Sequence, residues 1–218
     1  METALFVVFL FYTATTKDTR FFETFVVVFY LNAKGVLIMK NKSVRELVIS
    51  ALSMAIGLLL PMIFHAFGLG SAFLPMHIPV LIAGFAVSLP FAILVGVLTP
   101  LLSAFLTGMP PLFPVLPFMI FELAAYGAAA SLLYRKFRLN VYISLITSMI
   151  AGRIVSGLAV WVLAVFFAAK LPGPVAFVAG SITGSIPGII IQIVFIPALV
   201  MILDRNKLLR KEGLSGES

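Results

Sequence analysis

A carboxylate stands in the middle of an otherwise apolar stretch: Glu122 in "PFMIFELAAYGAAASLLY", residues 117–134. A second ionisable side chain, Arg153, interrupts "SLITSMIAGRIVSGLAVW", and one amide, Gln192, lies in the apolar run that ends at Asp204. A charge at the centre of a bilayer costs about 2.5–3.5 kcal/mol or more on insertion scales, so such a residue usually has a partner or a task. Counted along helices, Glu122 is 12 residues from Tyr134, Arg153 is 13 from Asn140 and Gln192 is 12 from Asp204. At 1.5 Å per residue, all three share a depth roughly 18–20 Å from one boundary. Two readings follow. Glu122 and Arg153 form a structural ion pair with Gln192 as an interhelical hydrogen bond, or the three line a substrate site. They are compatible, because a pair that neutralises itself at rest can still offer Arg153 to an anionic group or Glu122 to a donor.

Other side chains gather around this layer. Tyr126 is one turn from Glu122 on the same face and is a candidate pocket floor. Trp161, and His77 between Pro75 and Pro79, are further candidates, with packing as the plainer role for each. Gly180, Gly184 and Gly188 repeat every four residues, a stripe that lets a helix approach closely or clears space beside a ligand. Two histidines, no cysteine and one intramembrane carboxylate make a weak metal case, so no metal site is expected.

These residues need a membrane to position them. Of 218 residues, 62% are hydrophobic and only 11% charged, with a mean hydropathy of +1.19. Soluble domains carry about a quarter charged residues. The composition therefore defines an all-α integral membrane protein with no room for a separate soluble domain. Six segments can be drawn, over 46–64, 75–88, 90–107, 114–134, 140–169 and 175–203, each near the length a bilayer requires. Pro90 suits the first turn of a helix, so a tight turn separates the second and third.

Charge orients the bundle. The net charge of +7 would suggest nucleic acid in a soluble protein, but here the basic residues flank apolar runs. Lys40, Lys42, Arg45, Arg135, Lys136, Arg138, Arg205, Lys207, Arg210 and Lys211 all fall on one side of a six-helix arrangement, against Lys170 on the other. They read as topology markers that place both termini in the cytoplasm. No nucleic-acid partner is expected.

The first 38 residues fit this scheme poorly. "ALFVVFLFY" and "FFETFVVVFYL" are too short to span and are broken by "TTKDTR". "MKNKSVRELVISALSMAIG", from Met39, has the form of a start: a basic head, a Ser43-x-x-Glu46 capping box, then a helix. The expectation is a non-native or disordered extension over 1–38, a membrane domain over 39–204 and a basic tail over 205–218.

No motif supports catalysis. There is no glycine-rich phosphate loop, no His-Glu-x-x-His and no nucleophile elbow, so an enzyme is not expected. Active transport would draw its energy from an ion gradient or from a partner. An ion-coupled transporter or channel acting alone is the alternative, although no convincing repeat relates the two halves, as such transporters commonly show.

"FLPMHIPVLIAGF", "VGVLTPLLSAFLTGMPPLFP" and "FELAAYGAAASLLYRK" resemble the substrate-binding S components of energy-coupling factor (ECF) vitamin transporters, over about residues 40–205. The resemblance implies six membrane helices with both termini cytoplasmic. It also implies capture of a vitamin-like organic ligand from outside and partnership with a transmembrane coupling subunit and two cytoplasmic ATPases. ATP would be used by those partners, and this chain would need no cofactor. The family's alanine-x-x-x-alanine motif, which contacts the coupling subunit, falls here on Ala51 and Ala55 in "ALSMA". Nickel and cobalt members begin Met-His; here that pair is internal, at Met76-His77, which disfavours a metal substrate.

Overall fold

The structure, a computed structural model, describes residues 42–66, 68, 70–166 and 173–205. The expectations for residues 1–38, for a start at Met39, for Lys170 and for the tail from residue 206 fall outside them.

The described residues are helical, with no strand among them. The helices are α1 (Lys42–Ala66), α2 (Gly70–Phe73), α3 (His77–Ala86), α4 (Leu89–Thr107), α5 (Val115–Ala130), α6 (Val141–Phe166), α7 (Pro174–Gly184) and α8 (Ile186–Arg205). Segments Lys42–His65, Leu89–Thr107, Val115–Lys136, Val141–Phe166 and Ile186–Asp204 are long and apolar enough to cross a membrane. The second segment drawn from the sequence is a helix of only 10 residues, α3. It would extend about 15 Å, half the hydrocarbon thickness. Nine of its residues are buried, all but Ile82. An apolar helix buried on every side belongs to the interior of a bundle rather than to its lipid face.

Local sequence sets the joints. Val87 is extended after α3, Ser88 caps α4 through its backbone, and Pro90 falls in the first turn of α4, where its missing N–H costs nothing. Gly108 ends α4 in the left-handed conformation that glycine adopts without strain. Beyond α5 the chain widens into a π-helical turn, Ser131–Lys136. This change of register turns Tyr134 and the adjacent Arg135 inward, and both are buried.

Packing is uneven. Helix α5 runs between α4 and α6, with α3 across it. A Cβ added at Gly96 would lie 2.5 Å from the Leu123 carbonyl oxygen, and one at Gly127 2.6 Å from that of Ala92, so the α4 and α5 backbones touch. Helix α7 has no buried residue; it is attached by Phe177, whose ring meets Phe118 edge-on at 4.9 Å. The glycine stripe divides accordingly. Gly180 and Gly184 face open space, and only Gly188 is needed for a close approach, with a Cβ there 2.6 Å from the Phe73 carbonyl of α2.

At the end where α1 begins, Glu46 and Arg135 are buried as an ion pair of 3.1 Å. Arg135 donates both to Glu46 and to the Ala86 carbonyl, Ser88 donates to Glu46, and Ser131 donates to the Val87 carbonyl at 3.0 Å. Two sequence expectations are corrected here. Ser43 lies inside α1 rather than capping it, and Glu46 turns toward Ser88 and Arg135 instead of back to a capping box. Arg135 marks the end of a span, but as a buried side chain rather than a solvated one.

Candidate functional site

The polar layer at the other end is built on α3, α5 and α6. Glu122 of α5 lies 2.8 Å from Nη1 of Arg153 on α6, and His77, at the start of α3, places Nε2 3.5 Å from the same carboxylate oxygen. Glu122 and His77 are almost fully buried, whereas the Arg153 side chain keeps 11% of its surface exposed. The close approach of Arg153 to Glu122 lacks the alignment of a hydrogen bond at Oε1. Tyr126, one turn below Glu122, and Ser156, three residues beyond Arg153, flank the carboxylate. Tyr126 stacks edge-on against His77 with ring centres 5.3 Å apart. Its ring lies on Gly152, where an added Cβ would come within 2.3 Å.

Arg153 reaches across to a third element. Its Nη2 donates to Ser185 Oγ at 3.2 Å, and that hydroxyl in turn donates to the Ser181 carbonyl. Ser185 occupies the break between α7 and α8, so the guanidinium holds the hinge of the last segment.

Two cavities meet this layer. The larger, about 730 Å³, is bounded by α6, α7 and α8; Tyr126, Arg153 and Trp161 lie on its wall with a set of aliphatic side chains. The smaller, about 380 Å³, is lined by His65 and His77 with Pro61, Pro75, Pro110 and Pro111, where two proline-rich segments come together. Unpaired buried atoms occur in this layer, as one does at Ser144 Oγ near the start of α6. Among the described residues, His77 Nδ1, Ser156 Oγ and Gln192 Nε2 have no hydrogen-bond partner, although each residue is 97% buried or more. A buried polar atom left unpaired in a native fold calls for an explanation, an unseen ligand among them.

Glu122, Arg153, His77 and Tyr126 are thus gathered at one point, and Trp161 lies on the cavity that Arg153 and Tyr126 enter. Gln192 is buried on α8 but does not line that cavity. Ala51 is exposed on α1 and Ala55 half-buried, on the strip that also exposes Val44, Leu47 and Met62. Ser156 and Ser185 were not singled out from the sequence. Ser156 shares a helical face with Arg153 at i+3, which is a readable signal; Ser185 becomes visible only once the helix breaks beside it. No group of three histidine, aspartate or glutamate side chains suited to a metal gathers among the described residues.

An all-helical bundle of membrane-spanning length, with a buried polar cluster beside a groove, defines a polytopic membrane protein. The chain belongs to the ECF transporter substrate-specific component family, whose model matches residues 45–203. It is therefore a multi-pass membrane protein and the substrate-binding subunit of an ECF transporter, a family that works with a coupling subunit and ATPases. None of the curated proteins and none of the solved structures matches the chain significantly.

Proposed function

We propose that this S component captures a vitamin-like small organic molecule at the extracellular face and delivers it for ATP-driven uptake. The site comprises Glu122, Arg153, His77, Tyr126 and Trp161, with Gln192, buried on α8, as a further candidate. One observation carries the reading: Arg153 both pairs with Glu122 and lines a cavity of about 730 Å³, within the roughly 300–1,000 Å³ usual for small-molecule pockets.

The reading takes six crossings with both termini cytoplasmic. In its support, α3 runs from His77, beside Glu122, to Ala86, which receives the Arg135 hydrogen bond. The short helix therefore connects the two polar layers as the longer ones do. α1 leads from Glu46 to His65, and Asp204 at the end of α8 returns beside Tyr134. Counting α7 and α8 as one broken passage gives six. The arginine and lysine side chains at the Glu46 end then face the cytoplasm.

The coupling subunit docks on α1 along Ala51 and Ala55, and two cytoplasmic ATPases supply the energy, so this chain needs no cofactor of its own. Small residues four apart leave a shallow strip for a second helix, and Ala51 is exposed. Ala51→Trp with Ala55→Trp is expected to abolish coupled uptake in proteoliposomes while leaving ligand binding by the isolated subunit within twofold. Unchanged uptake by the double variant would sink the docking surface.

A further inference from the structure

Helix α1 has two faces set apart by its sequence. Glu46, Ser50, Ser53, Gly57 and Pro61 recur every three or four residues and are buried. Val44, Leu47, Ala51, Ala55, Leu58 and Met62 recur at the same spacing and form an outer strip, exposed at Val44, Leu47, Ala51 and Met62. At about 100° per residue, the centre of the strip lies roughly 120° round the helix from the buried face. A turn of α1 by a single residue's angle would carry the strip out of line.

Most of the buried face packs without choosing a rotation. Ser50 bonds within its own helix, donating to the Glu46 carbonyl at 2.7 Å. Gly57 lets α4 come close, since an added Cβ would lie 2.5 Å from the Thr99 methyl, but a glycine limits only the distance. Glu46 is different. Its Oε2 accepts from Ser88 at the cap of α4, and its Oε1 accepts from Arg135 of the π-helical turn at 3.1 Å. Arg135 donates as well to the Ala86 carbonyl, where α3 ends. One carboxylate thus ties the start of α1 to three neighbouring elements by directional bonds. A buried ion pair contributes little net stability over apolar side chains of similar volume, and fixing register is its best-attested use.

We propose that Glu46 and Arg135 are positioning residues for coupling: their bonds set the rotation of α1 and so keep the Ala51 and Ala55 strip turned out toward the coupling subunit, on the reading that this subunit docks there. The pair lies at the opposite end of the bundle from Glu122 and Arg153. Its loss is therefore expected to separate coupling from ligand binding.

Glu46→Met with Arg135→Met keeps most of the buried volume but removes every directional bond. With the full chain in nanodiscs, its capture by the purified coupling subunit and ATPases is expected to fall at least about tenfold, while the thermal midpoint stays near wild type. Ser88→Ala removes one bond, leaves the ion pair, and should lower capture by about two- to fivefold. Should the double variant not fold, Ser88→Ala carries the same readings. Val160→Ala loosens the core beside Phe118, away from α1, and should leave capture within about twofold.

The sequence has no cysteine, so a spin label on a single cysteine at Leu47, Val48, Ala51 or Leu52 reports the rotation directly, through its exposure to oxygen dissolved in lipid. Exposure highest at residues 47 and 51 in the wild type, and no longer so in the Glu46/Arg135 double variant, is the expected result. Undiminished capture with unshifted exposure overturns the proposal. Equal loss of capture in Val160→Ala overturns it too, because the pair would then act through stability alone. Shifted exposure with undiminished capture removes instead the docking of the coupling subunit on α1.

Discussion

At the end of the bundle where α1 begins, Glu46 and Arg135 are enclosed by aligned hydrogen bonds from Arg135 and Ser88 to Glu46, with Arg135 also bound to the Ala86 carbonyl. At the other end Glu122 and Arg153 approach as closely, at 2.8 Å, yet the contact is not aligned, and His77 and Ser156 beside it retain unpaired atoms. The first pair sits where helix ends converge, the second beside a cavity of about 730 Å³. On the proposed reading, the difference separates a clamp from a binding site. Both carboxylate oxygens of Glu46 accept aligned hydrogen bonds, whereas Glu122 keeps one oxygen without an aligned donor, and that oxygen is free to meet a ligand group.

The same contrast extends to the helices around each pair. Around α4 and α5, glycines let backbones touch, whereas α7 buries no residue and is held by Phe177 and by the Arg153–Ser185 hydrogen bond at its end. A rigid side thus faces a loosely attached one across the polar layer.

The largest effect is expected from breaking the clamp. Arg135→Ala leaves Glu46 buried without its cation, which for a buried pair costs about 3–5 kcal/mol. Thermal unfolding in detergent should show it, and an unshifted midpoint would mean that the pair is not a clamp. Glu122→Gln with Arg153→Gln removes both charges together, so folding should change by no more than about 1–2 kcal/mol while ligand binding falls at least tenfold. Equal losses of folding in the two experiments would erase the distinction between the pairs.

Finer substitutions sharpen it. Gly152→Ala drives a methyl into the Tyr126 ring, an overpacking worth about 1–3 kcal/mol, and should weaken ligand binding through the displaced ring. Retained affinity in that variant would remove Tyr126 from the site. Gly180→Ala meets nothing within 4 Å and should stabilise α7 by up to about 1 kcal/mol, the ordinary helix preference of alanine. A destabilised Gly180→Ala, measured by the same thermal unfolding, would show that α7 packs more closely than its exposure indicates.

The two pairs also differ in how far the sequence betrayed them. Glu122 and Arg153 stand alone in apolar runs, where any charge is conspicuous, and counting depth from the helix ends brought them to one level. Their helices, α5 and α6, are neighbours, so equal depth became contact. Glu46 and Arg135 lie among other charges at helix ends, where the ordinary expectation is a solvated side chain. Their burial depends on the π-helical turn at 131–136 and on the shortness of α3, which brings the Ala86 carbonyl to Arg135. Neither feature has a local sequence signal. The glycine stripe shows the same limit, since spacing alone did not separate Gly188, pressed against α2, from Gly180 and Gly184 in open space.

The most direct measurement is mass spectrometry of the small molecules released on denaturing purified, folded protein, comparing wild type, Glu122→Gln/Arg153→Gln and Glu46→Gln/Arg135→Gln. Near-equimolar ligand in the wild type and in the Glu46/Arg135 variant, with none in the Glu122/Arg153 variant, is the expected result. Ligand retained by the Glu122/Arg153 variant at the wild-type level would contradict the assignment of that pair to the binding site.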